Sequence, residues 1–280
     1  MSRGGEAILV SCLDANGDLR INGVDGPDLT GLDIPLKPGE GCMRPDRYRD
    51  FYTGTPAGGA YGCGGRAPLL IVNVGGGGTE LLAPAEGESL GMLAIVNGIQ
   101  ERAAAAGIAT LPVLTTSAIV GADLPQTRME EWIAHYVARR LDALPCLRAV
   151  IIGHSHGGVT VSSVTAALDA SYASRLYGVL LDRSVALYDR FATEFPAAAP
   201  LLNVYQTDEG WHGEYLPMPN VTNLDETGQL GPIAPSDANY RGISFEEAAR
   251  ALVPITHKTI DDSPPVQQHV IDAVIRWAGG

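Results

Sequence analysis

From residue 68 onward, short apolar runs alternate with longer segments whose apolar residues recur at helical spacing. Residues 68–74 read as a buried strand, ended by the glycines at 75–78. Residues 88–106 follow as a helix with Met92, Ile95, Val96, Ile99 and Ala103 on one face. A second strand is predicted over 110–114. The helix predicted over 127–144 carries Met129, Trp132, Ile133, Tyr136 and Val137, and Pro145 stops it. Residues 147–152 are a third strand, and 158–168 the helix after it. Two more strands are predicted over 177–181 and 200–205. Residues 263–277 close the chain as a helix, with Ser263 at the cap and Pro264 in the first turn.

Strands and helices alternating at these lengths predict an α/β fold, a mostly parallel central sheet with helices on both faces. In such sheets the ligand crevice lies beyond the carboxyl ends of the strands, so chemistry is sought where strands stop. Two segments break the rhythm, 26–66 and 209–254. Both are rich in Gly, Pro, Asn and Asp and read as loops or lid-like excursions. The 280 residues suit one domain, with 1–66 an irregular N-terminal extension and 68–280 the core.

The formal net charge is −13, a field that repels phosphate backbones and argues against a nucleic-acid partner. No apolar stretch approaches the roughly 20 residues that cross a bilayer, so a soluble protein is expected. Four cysteines, Cys12, Cys42, Cys63 and Cys146, permit two bridges, and Cys42 and Cys63 bracket an irregular stretch that a cross-link would restrain. The first residues, Met1-Ser-Arg-Gly-Gly-Glu6, lack the apolar core of a signal peptide. The cysteines still give the expectation of a secreted or periplasmic protein whose leader has been removed. Four reduced thiols in a cytosolic enzyme is the alternative.

The candidate chemistry begins at Gly153-His154-Ser155-His156-Gly157, which follows the strand at 149–152 and precedes a helix. This is a G-x-S-x-G elbow in the order strand, sharp turn, helix, which presents a serine hydroxyl at the sheet edge. The stretch from Val150 to Gly158 resembles the nucleophile region of α/β-hydrolases, especially lipases and esterases. The resemblance covers about residues 68–280. It implies the α/β-hydrolase fold, with Ser155 as nucleophile.

A serine hydroxyl needs a base to take its proton, and the resemblance places that base late in the chain, after the last strand. Of six histidines, His135 lies on the preceding helix, and His154 and His156 flank Ser155 too tightly to reach its oxygen well. His269 falls off the apolar face of the last helix and reads as solvated. His212 stands beside Trp211 in the second long loop, where it could line a cleft. His257, in a loop before the capped last helix, is the expected base. The acid that orients it is Asp182, ending 178–182, or Asp208, following 201–205. Most α/β-hydrolases use the later strand. One lipase branch uses the earlier, and its Leu-Asp ending resembles this one, which favours Asp182 over Asp208.

An oxyanion needs backbone donors already in place. The resemblance implies the amide of His156 and one from the glycine loop 75–78, where Gly76 is the expected donor. Asn73-Val74 stands where a histidine is usual in the lipase loop.

Residues 14–25 put oxygen side chains at positions 1, 3, 5, 9 and 12 of a twelve-residue frame: Asp14, Asn16, Asp18, Asn22 and Asp25. Arg20 would add a backbone carbonyl at position 7. The spacing resembles an EF-hand or dockerin calcium loop, although Leu19 replaces the usual glycine at position 6. The competing reading is a hairpin, 8–13 and 19–22 joined at 15–18 by an Asn-Gly turn, and both can hold together. Calcium would be structural, and no cofactor is expected for catalysis.

The expected activity is hydrolysis of a small-molecule or lipid carboxylic ester through an acyl-enzyme. A thioesterase, acyltransferase or peptidase would use the same groups, since fold does not choose among them. A non-catalytic, calcium-stabilised binding module on the same scaffold is the rival from another class.

Overall fold

The computed structural model describes residues 65–76, 91–111, 113–117, 126–168, 170–183, 199–208, 212–232 and 252–280, with short strands within 7–25 and at 50–51. Those strands are β1 (Ala7–Ile8), β2 (Val10–Leu13), β3 (Leu19–Ile21), β4 (Val24–Asp25) and β5 (Asp50–Phe51). β2 pairs antiparallel with β3, Leu13 opposite Leu19, and β3 pairs with β4, Arg20 opposite Asp25. The strands of the hairpin reading are thus paired, its turn at 15–18 lies outside the described residues, and two of the six candidate calcium positions are neighbours across a ladder. Asp14, Asn16, Asp18 and Asn22 lie outside the described residues, as do Cys42 and Cys63.

The core begins at β6 (Leu69–Gly75) and runs through α1 (Gly91–Ala105), β7 (Leu114–Ser117), α2 (Gln126–Ala143), β8 (Arg148–His154) and α3 (His156–Ala167). A short 3-10 helix leads into β9 (Leu176–Leu181), then β10 (Leu201–Tyr205) and β11 (Val221–Asp225). Six strands form one sheet in the order β11-β10-β9-β8-β6-β7, every pairing parallel. Helices lie on both faces. This is the α/β-hydrolase fold.

Alternation along the strands divides the core in two. Leu70, Val72, Val74, Ala149 and Ile151 face α2 and α3, meeting Ile133, Val137, Leu141, Val161 and Val164. Leu69, Ile71, Val150, Ile152 and Val179 face α1 and the last helix, α4 (Pro264–Gly279). A strand buried on both faces reads as a continuous apolar run, which is why β6 and β8 stand out in the sequence. Truncating one such aliphatic to alanine costs about 2–5 kcal/mol.

Three expectations need correction. The second strand is β7 at 114–117, not 110–114. Thr110 makes only an isolated bridge to Leu69, and Pro112 has no N–H for a ladder. The segment 209–254 is not simply loop, because β11 extends the sheet and β12 (Leu230–Pro232) pairs with β13 (Leu252–Pro254). As the sheet's half-exposed edge, β11 is too polar to read as a buried strand. Ser263 stands at the N-cap of α4 but makes no capping bond through its hydroxyl. No helix among the described residues is long and apolar enough to cross a membrane.

Candidate active site

β8 ends in His154, and α3 starts at His156, leaving one residue for the turn between them. Ser155 makes that turn with φ 55° and ψ −120°. Its amide donates to the Leu181 carbonyl at 3.0 Å, and its carbonyl receives the amide of Gly158 at 3.0 Å. The first glycine of the motif is demanded by space: a Cβ on Gly153 would lie 2.2 Å from the Gly157 carbonyl oxygen. The elbow is therefore a packing requirement.

Asp182 follows β9, with φ 42° and its amide donating to the Val204 carbonyl at 2.7 Å. Ser155 and Asp182 are the non-glycine residues with positive φ among the described residues. Backbone in that region is costly and persists where surrounding structure over-determines it.

His257 lies in a tight turn built by two threonines. Thr259 Oγ1 accepts the Thr256 amide at 2.8 Å and donates to the Pro254 carbonyl at 3.0 Å, while the amides of Thr259 and Ile260 return to the Thr256 carbonyl. His154 donates from Nε2 to the His257 carbonyl at 2.7 Å, fixing the turn against the end of β8. His154, too close in sequence to serve Ser155, thus holds the residue that does reach it.

The three side chains meet. Nε2 of His257 lies 2.9 Å from Ser155 Oγ, and Nδ1 lies 2.7 Å from Asp182 Oδ2. Ser155 is 4 % exposed, His257 7 % and Asp182 0 %. All three residues are thus buried where the ends of β8 and β9 meet the turn that carries His257.

Asp182 also accepts from three donors that the sequence did not announce. The Gln206 amide reaches Oδ1 at 3.1 Å, Gln206 Nε2 reaches Oδ2 at 2.8 Å, and the Gly213 amide reaches Oδ1 at 2.7 Å. Burial alone would raise this carboxyl's pKa. The hydrogen bonds from His257 and Gln206, with the attraction of His257, outweigh it and hold the pKa below the ordinary value. Asp182 therefore stays an anion beside the imidazole.

Asp208 is elsewhere. It is exposed, its amide donates to Gln206 Oε1 at 2.7 Å, and its Oδ2 accepts the Gly228 amide. It closes a turn, while Asp182 contacts His257. Of the remaining histidines, His212 donates from Nδ1 to the Gly213 carbonyl at 2.7 Å. His135 and His269 are half-buried, the latter less solvated than its place on α4 suggests.

His156, directly after the serine, opens α3, and Gly76 is buried just past the end of β6, the strand beside β8. Both expected oxyanion donors thus belong to adjacent strand ends. Residues 77–90 lie outside the described set.

No family model matches the chain, and no curated protein matches it. Solved structures show a distant likeness. A cutinase-like protein from Cryptococcus sp. is 14% identical with a TM-score of 0.42, over 76% of this chain and 96% of its own. Est1E from Butyrivibrio proteoclasticus is 13% identical with a TM-score of 0.44, over 83% and 95%. An alpha-beta serine hydrolase homologue from Coxiella burnetii is 12% identical with a TM-score of 0.41, over 82% and 91%. At these values the likeness carries no weight. The fold stands on the strand order, and the chemistry on the side chains.

Proposed function

We propose that this protein is a serine hydrolase of carboxylic esters, with Ser155 as nucleophile, His257 as base and Asp182 as the orienting acid. The observation that carries the reading is the unbroken hydrogen-bonded line from Ser155 Oγ through both nitrogens of His257 to Asp182. A buried carboxylate on Nδ1 leaves Nε2 as the acceptor facing the hydroxyl.

Ser155 Oγ attacks the ester carbonyl carbon as its proton passes to His257 Nε2. The carbonyl oxygen takes the charge and is held by the amides of His156 and Gly76. Collapse expels the alcohol, which takes the proton from Nε2, and leaves an acyl group on Ser155. Water, giving a proton to the same Nε2, attacks the acyl carbon, and collapse breaks the bond to Ser155 Oγ, which takes that proton back as the acid leaves. Asp182 balances the imidazolium at each step. No organic cofactor is required. The substrate class is a small-molecule or lipid ester, the compartment secreted or periplasmic, and a structural calcium at 14–25 belongs to the same proposal.

A chain-length series of aryl esters, with fluorophosphonate labelling, tests it. Wild type should hydrolyse at least one member and label once, at Ser155, while Ser155→Ala loses both. A folded wild type with neither reaction would sink the enzyme reading in favour of a binding module.

A further inference from the structure

Arg183, directly after Asp182, is 2 % exposed along its side chain. Burial lowers its pKa, and Glu214 works against that shift. Nη2 donates to Glu214 Oε1 at 2.6 Å, and Glu214 is itself 38 % exposed. The base of the arginine side chain rests on the first turn of α3: a Cβ on Gly158 would stand 3.0 Å from Arg183 Cβ. One residue thus touches the helix behind Ser155, the acid's own backbone, and the segment beyond β10.

That segment, 213–216, is pinned along its length. The Glu214 carbonyl accepts Asn203 Nδ2 at 2.8 Å. Asn223 brackets Leu216, accepting its amide at 3.0 Å and donating to its carbonyl at 2.8 Å. Its first residue, Gly213, puts its amide on Asp182 Oδ1 at 2.7 Å, and a Cβ there would come within 2.8 Å of that oxygen. The segment is a strap across the acid.

We propose that Arg183 and Glu214 are positioning residues: their ion pair holds the strap so that Gly213 fixes one oxygen of Asp182 and the other stays on His257. The inference rests on the triad reading. Gln206 holds both oxygens of Asp182, and the shorter Gly213 bond adds a second hold on Oδ1 that resists rotation of the carboxylate away from the imidazole. Loosened, it would meet Nδ1 at longer range and stabilise the imidazolium less, an effect felt in turnover and not in binding. The other pins anchor the strap to the sheet, whereas this pair ties it to the residue next to the acid.

The test is steady-state kinetics and fluorophosphonate labelling of folded Glu214→Ala, Glu214→Gln and Asp182→Asn, alone and combined. Glu214→Ala should lower kcat by roughly tenfold with KM within about twofold, as expected for a lost hydrogen bond to a charged group. Glu214→Gln keeps an acceptor for the guanidinium and should recover most of the loss. In an Asp182→Asn background, Glu214→Ala should slow labelling no further, since its effect passes through Asp182. Equal losses in both backgrounds, or an unchanged kcat in Glu214→Ala, would overturn the proposal. If Glu214→Ala does not fold, Glu214→Gln decides: a kcat two- to threefold below wild type supports the pair, and an unaltered one rejects it. Failure of the triad reading looks different, because Ser155→Ala would then retain activity.

Discussion

A Cβ placed on Gly157 would lie 2.0 Å from the carbonyl oxygen of Val74. The second glycine of the elbow is thus where α3 presses on the end of β6, backbone against backbone. That contact sets the amide of His156 beside the strand from which Gly76 emerges.

Gly157→Ala should therefore be strongly destabilising, because no rotamer change relieves a clash with main chain. A loss of about 2–4 kcal/mol is expected, read as a fall in the urea midpoint. Gly279→Ala, where a Cβ meets nothing within 4 Å, is the control and should stay within about 0.5 kcal/mol. Equal midpoints for the two variants would refute the packing argument.

Asp182→Asn should reduce kcat by roughly three to four orders of magnitude with the fold intact, because an amide cannot balance the imidazolium. Asp208→Asn should stay within a few-fold, since Asp208 closes a turn with Gly228. Kinetics of the two variants on one aryl ester decide it, and a reversed ranking would move the acid to the later strand.

The depressed pKa of Asp182 has a thermodynamic sign. A carboxyl more acidic folded than unfolded contributes stability that is complete above the unfolded value of about 3.9 and lost as pH falls through the folded one. Denaturant midpoints measured from pH 6 down to pH 2.5 should thus fall more steeply for wild type than for Asp182→Asn. Parallel curves would mean that the hydrogen bonds to Asp182 leave its titration unmoved.

If calcium binds residues 14–25, thermal unfolding in excess calcium should shift upward relative to chelator, by an amount that grows with the logarithm of free ion. Asp14→Ala with Asp18→Ala should abolish the shift. Ester hydrolysis should not respond, the loop being structural.

Much of this site was legible because its signals are local. Gly153, Ser155 and Gly157 lie within five residues, and their spacing reflects a turn only glycines can flank. His257 could be chosen because it precedes a helix opened by Ser263 and Pro264. The choice between Asp182 and Asp208 was closer, since both follow apolar strands and only three-dimensional pairing with His257 separates them. Gln206, Gly213 and Glu214 stay hidden: they follow β10 and act through contacts that leave no periodic trace. A polar residue directly after the buried run 201–205 was the one available hint for Gln206. β7 escapes a reading of sequence alone because Thr110 and Leu111 look as strand-like as 114–117, and partner register with β6 decides between them.

The tie from His154 to the carbonyl of His257 spans 103 positions of sequence. Nucleophile and acid stand on neighbouring strands, yet the imidazole arrives from the last thirty residues and is locked only when that far end docks. Ile255 and Ile260, flanking the turn that carries His257, pack in one cluster with residues of α1 and α4, and Arg102 of α1 reaches Asp272 of α4 at 2.8 Å. Turnover consequently requires the C-terminal helix in place, so a truncation that removes the helix would silence catalysis even where the sheet survives.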